Sequence, residues 1–187
     1  MEPVNYCARI ERHYAEQWKK PEARLDWVPG PRRDLPAGFA VLVFARTSEM
    51  RAFATRCMSQ PGDSLRLELH MLCRVSEALR WQREFAELLA AVAHYHRTGA
   101  TLDVGHTVNF GRPWLPNSTC EYGLLSLPYL DGPKLEWLAE PEVRFLWLLP
   151  VTKREVDFKR KMGLEALEQR FEESGLDFLD PTRESVC

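Results

Sequence analysis

The chain has 187 residues, 45% of them hydrophobic and 28% charged, and its 25 Lys and Arg against 27 Asp and Glu give a net charge of −2. That length suits one domain with a core of its own. The near-neutral balance excludes a general nucleic-acid binder, which needs a basic surface, and the longest apolar run, residues 39–45, is far too short to span a bilayer.

Residues 5–20 read as an amphipathic helix, because Tyr6, Ile10, Tyr14 and Trp18 recur every four residues. The stripe is narrow, so the helix is expected on the outside of the core. Residues 21–38 hold Pro21, Pro29, Gly30, Pro31, Pro36 and Gly38 and read as a loop or linker. A buried strand is expected at 39–46 and another at 50–58. In 64–72, Leu65, Leu67, Leu69 and Met71 alternate with Arg66, Glu68 and His70. This predicts an antiparallel strand with one dry and one wet face. Gln60-Pro61-Gly62-Asp63 is turn chemistry between the two strands.

A long helix is predicted over 76–98, with Ser76 as a candidate N-cap and Gly99 at its end. Residues 99–118 read as a long loop, of a length usually functional in a compact domain. Strands follow at 122–127 and 143–149; the second is apolar on both faces and is expected to be central. Thr152-x-x-Glu155 is a capping box opening the last helix, whose inner face carries Val156, Leu164, Leu167 and Phe171 and whose stop is Gly175. The order of elements predicts an α+β sandwich, an antiparallel or mixed sheet flanked by helices, with residues 1–38 as N-terminal helix and linker and 39–181 as the core.

The five cysteines, Cys7, Cys57, Cys73, Cys120 and Cys187, are odd in number and show no C-x-x-C spacing. Neither a disulfide framework nor a zinc knuckle is expected, and reduced thiols in a cytoplasmic protein are the simple reading. Glu11, Arg12, Lys19 and Lys20 interrupt any apolar stretch near the N-terminus, so no signal peptide is expected. His94 and His96 stand two apart on a predicted helix and point away from each other, so they cannot chelate together. Only if the helix has already ended could His94, His96 and His106 converge on a metal. No G-x-S-x-G elbow, phosphate-binding glycine loop or Cys-His signature occurs. No catalytic residue, metal site or cofactor is assigned.

The long loop supplies the candidate binding residues. His106 either contacts a partner or hydrogen-bonds backbone to hold the loop. Phe110 and Trp114 are either exposed anchors for a partner or the loop's own small core. Arg112 lies between them, and Tyr95 and Asp131 are expected nearby.

Several motifs resemble the suppressor of fused family in its single-domain bacterial form. They are Leu148-Leu149-Pro150, then Phe158-Lys-Arg-Lys-Met-Gly163-Leu-Glu-Ala-Leu167, then Asp180-Pro181. Gly105-His106-Thr107 after His94-Tyr95 is similar to a further family segment. Arg56-Cys57-Met58-Ser59 resembles the family's Gly-Met-Ser strand end, with Cys57 in place of glycine. The resemblance implies a non-enzymatic protein-binding module. Animal members hold a peptide as an added strand between two domains, and this chain has room for the first domain only. Bacterial single-domain members resemble immunity proteins that bind and block a cognate toxin. The expected partner is therefore another protein, a toxin first, with no nucleic acid or membrane involved and the chain a monomer or weak dimer. A general adaptor without a toxin partner is the alternative, and a metal-dependent hydrolase the third reading.

Overall fold

The computed structural model describes residues 3–26, 35–140 and 142–187. Part of the expected proline-rich linker, 27–34, lies outside the described residues. The elements run α1 (Pro3–Trp18), β1 (Ala23–Asp26), β2 (Ala40–Ala45), β3 (Met50–Arg56), β4 (Leu67–Arg74), α2 (Val75–Arg80) and α3 (Gln82–Thr98). They continue with β5 (Thr107–Asn109), β6 (Cys120–Ser126), α4 (Pro133–Glu136), β7 (Trp137–Leu138), β8 (Val143–Thr152), α5 (Lys153–Met162) and α6 (Leu164–Ser174). The strands form one mixed eight-stranded sheet in the order β1-β2-β3-β4-β8-β6-β5, with β7 paired to β8 off that path. The expected α+β class holds. All pairings are antiparallel except β4 with β8.

Both faces of the sheet are covered. On one, Val41, Val43, Phe53, Leu69, Met71, Leu146 and Leu148 pack under Phe85, Leu88, Leu89 and Val92 of α3. On the other, Leu42, Phe44, Phe145, Trp147 and Leu149 pack under α1, α5 and α6. Strand β8, apolar on both sides, sits between β4 and β6, as its sequence requires.

Four expectations are corrected. Helix α1 is not peripheral: Tyr6, Ile10 and Tyr14 are fully enclosed, and the Tyr14 hydroxyl donates to Leu69 O at 3.2 Å. A narrow stripe suffices because its members are aromatic and reach far into the sheet. Strand β4 has no wet face, since Glu68 and His70 are buried beneath α1; parallel pairing with β8 makes β4 central. The long central helix is two helices, broken at Trp81, and it starts at Val75 without a side-chain cap, so Ser76 lies inside it. Cys7 and Cys57 are joined in a disulfide with Cα atoms 5.3 Å apart, which removes the thiol argument for a reducing compartment. Cys73 and Cys120 are buried thiols and Cys187 is an exposed one.

The sequence also hid smaller pieces. The linker contains β1, an edge strand; the long loop contains β5, the opposite edge; and α4 and β7 fill the connection before β8. The last helix is interrupted at Gly163, whose φ of 95° is open to glycine at little cost. Its capping box is present as expected.

Candidate functional site

The segment expected to carry the site is tied along its length to β6. The N–H of Gly105 donates to Leu125 O at 2.8 Å, and Leu125 N–H donates to His106 O at 2.9 Å. Strand β5 then pairs Thr107, Val108 and Asn109 with Leu124, Gly123 and Tyr122. Past it, Phe110 N–H donates to Glu121 O at 3.0 Å and Trp114 N–H to Cys120 O at 3.0 Å. The expected loop is therefore a second, ragged hairpin arm. Among the described residues no strand follows β5 in the sheet order, so its outer side is an open edge there.

Gly123 leaves room for side chains on both sides. A Cβ there would stand 2.6 Å from Leu148 Cδ1 and 3.2 Å from Phe110 Cε2, so a larger residue would press on both. On the other flank, the Lys159 ammonium of α5 hydrogen-bonds the Gly105 carbonyl, and burial together with the neighbouring Arg160 lowers its pKa.

The six candidate residues are not brought together. His106 is exposed, and its Nδ1 accepts the Asp103 N–H at 3.2 Å, so the ring does hold backbone as one of the two readings supposed. Phe110 is half-buried and meets Trp114 edge-on, with ring centroids 5.7 Å apart. Trp114 is 1% exposed and its indole N–H donates to Tyr122 O at 2.9 Å; it is core, not an exposed anchor. Arg112 is exposed and reaches Glu87 of α3 only at 3.8 Å. Tyr95 is 42% exposed and lies against Gly99 at the end of α3.

Asp131 belongs elsewhere. It accepts from Trp18 Nε1 at 2.7 Å and pairs with Arg46 at 2.6 Å, beneath the other face of the sheet. Burial raises its pKa and Arg46 pulls it back. With its side chain 7% exposed, it offers little to a partner.

The histidines do not gather. His96 Nδ1 accepts the Leu102 N–H at 3.0 Å, and burial lowers the pKa of that ring. His94 Nδ1 is buried without a hydrogen-bond partner among the described residues. Among the described residues, no group of three or more His, Cys, Asp or Glu is placed to hold a metal ion. Nor is any described helix long and apolar enough to cross a membrane.

What remains at the surface is an edge strand with exposed Asn109, flanked by His106, Phe110 and Arg112. Sequence reasoning missed the edge itself. The only signal was Thr107-Val108-Asn109 alternating between Gly105 and Gly111, three residues that no periodicity rule can resolve.

The model of the suppressor of fused protein matches residues 39–184. The chain belongs to the suppressor of fused family. A solved suppressor of fused homologue from Neisseria gonorrhoeae FA 1090 is 29% identical, with a TM-score of 0.79 and 98% of each chain covered. The Sufu–Fu complex matches at 14% identity and a TM-score of 0.75, over 99% of this chain and 93% of that one. Drosophila Suppressor of Fused matches at 15% identity and a TM-score of 0.70; 98% of this chain covers 51% of it. At those identities the last two show the fold alone. No curated protein matches the chain.

Cys57 has φ 62°, in the left-handed region that favours glycine.

Proposed function

We propose that the chain is a non-catalytic protein-binding module that receives its partner at the open edge of β5, and that the partner is a cognate toxin inhibited by occlusion. The observation that carries this reading is the unpaired edge strand with exposed His106 and Arg112 beside it. Such an edge offers a row of backbone donors and acceptors to an extended segment, and the flanking side chains supply selectivity. A family fold solved in a complex with Fu supports a protein partner. The toxin follows from the likeness to single-domain bacterial members.

The test is affinity purification of the tagged chain from its own cells, with co-purifying proteins identified by mass. One stoichiometric partner is expected, toxic when expressed alone and harmless when co-expressed. His106→Ala with Arg112→Ala should weaken that partner about tenfold or more while leaving stability within about 0.5 kcal/mol, as exposed substitutions do. Trp114→Ala should instead cost about 3–5 kcal/mol of stability through the cavity it leaves. A partner held equally by the double variant removes β5 as the surface. A chain that brings down no stoichiometric partner removes the inhibitor reading.

A further inference from the structure

On the face opposite α3, the sheet is not wholly roofed. Between β8 and α6 lies an open groove of about 310 Å³, with Trp147 on its floor and Phe171, Phe178 and Tyr129 among its walls. Trp147 and Phe178 meet edge-on at 5.0 Å. Leu149, Leu176, Gly175 and Ser126 complete the lining, with two carboxylates among it. Glu168 and Glu172 stand one turn apart on α6 and both line the groove.

The charges there are unbalanced. Among the described residues, no Lys, Arg or His lines the groove. Glu168 Oε1 accepts from the Tyr129 hydroxyl at 3.1 Å and from Ser126 Oγ at 3.4 Å. Both donors are neutral hydroxyls. The Glu172 carboxylate is exposed and makes no hydrogen bond or ion pair among the described residues. The Arg183 guanidinium stands 5.9 Å from the Phe171 ring and is held by Glu155. Two like charges four residues apart repel each other unless a cation lies between them.

Aromatic faces with carboxylates at the rim are the arrangement that recognises an organic cation, by its charge and by the electron-rich ring faces. The volume is at the small end for a ligand pocket. We propose that this groove binds a small organic cation, an ammonium or alkylated ammonium carried on an apolar body, with the body against Trp147 and Phe178 and the charge against Glu168 and Glu172. The site is separate from the β5 edge and does not rest on the partner reading.

Isothermal titration calorimetry with 2-phenylethylammonium, its neutral counterpart 2-phenylethanol and the anionic 3-phenylpropanoate tests it. The cation should bind at least about tenfold tighter than the alcohol, and the anion should not bind. Glu168→Gln with Glu172→Gln keeps the shape and removes the charge, so it should bring cation and alcohol within about twofold of each other. Glu172→Gln alone, at an exposed position, should lower cation affinity part-way and serves if the double variant fails to fold. Equal binding of alcohol and cation, no heat from the cation up to millimolar concentration, or an unchanged cation affinity in Glu172→Gln each overturns the proposal.

Discussion

Glu68 and His70 lie two residues apart on β4 and project onto the same face of the sheet, where both are fully enclosed. Glu68 is richly hydrogen-bonded: Thr55 Oγ1 donates at 2.6 Å, and the N–H groups of Met58 and Ser59 donate at 3.2 and 3.3 Å. Burial still dominates and lifts its pKa from 4.5 to about 7, against those bonds, which lower it. His70 has neither ring nitrogen hydrogen-bonded to a described residue and sits between Trp18 and Trp147. Burial, and then Arg46, depress its pKa from 6.5 to about 3. The two shifts act on stability in opposite senses. Between pH 4.5 and about 7 the folded chain keeps a proton on Glu68 that the unfolded chain has released, so stability falls as pH rises. Between about pH 3 and 6.5 the unfolded chain takes up a proton that buried His70 refuses, so stability falls as pH drops. In their overlap the slopes largely cancel. His70→Leu should uncover the Glu68 slope: relative to the parent, the variant should gain about 2 kcal/mol at pH 5 over its standing at pH 7. Denaturant midpoints at the two pH values measure this, and parallel pH curves for parent and variant would sink it.

At the scale of elements, the box at the start of α5 joins more than one turn of helix. Thr152 Oγ1 accepts the Glu155 N–H at 3.3 Å, and Glu155 Oε2 accepts the Thr152 N–H at 2.8 Å. The same carboxylate, fully buried, also takes Arg183 on both oxygens, at 2.6 and 3.0 Å, and the Val186 N–H at 3.1 Å. It therefore fastens the C-terminal segment to the end of β8. Thr152→Ala should cost about 1 kcal/mol, the usual loss of a cap. Glu155→Ala strands a buried guanidinium and should cost about 3–5 kcal/mol, with protease cleavage appearing first after residue 180. Equal losses in the two variants would show that Arg183 contributes nothing. This pair also marks the reach of the sequence. The cap was legible because four adjacent residues carry it, whereas Arg183, 28 positions on, announces itself by no pattern. The strands expected at 39–46 and 143–149 were legible from composition, and the breaker-rich segment around β5 from its glycines and prolines. The depth of α1 was not, because spacing records a direction and not how far an aromatic ring reaches. The burial of Trp114 was open for the same reason: its indole N–H finds Tyr122 O, and no local residue shows that in advance.

Across the whole molecule, the N-terminal helix is held to the sheet at one corner by unlike means. Cys7 of α1 is bonded to Cys57 just past β3, the Tyr6 hydroxyl meets Ser59 Oγ at 2.8 Å, and Arg56 pairs with Glu11 at 2.9 Å while donating to Gly38 O at 2.7 Å. The disulfide spans a sequence separation of 50, so on a chain-entropy account it restricts the unfolded chain by about 4 kcal/mol. That is a large share of a typical stability of about 5–15 kcal/mol. It is not the whole, because the aromatic stripe of α1 and both covered faces of the sheet remain when the bond is opened. The expected result is a reduced chain that still unfolds cooperatively, at a lower denaturant midpoint. Cys7→Ser with Cys57→Ser should show the lowered midpoint without reductant and no further shift with it, which separates this bond from the three thiols. A parent midpoint indifferent to reductant would mean that the bond constrains little, and that side-chain packing alone secures α1.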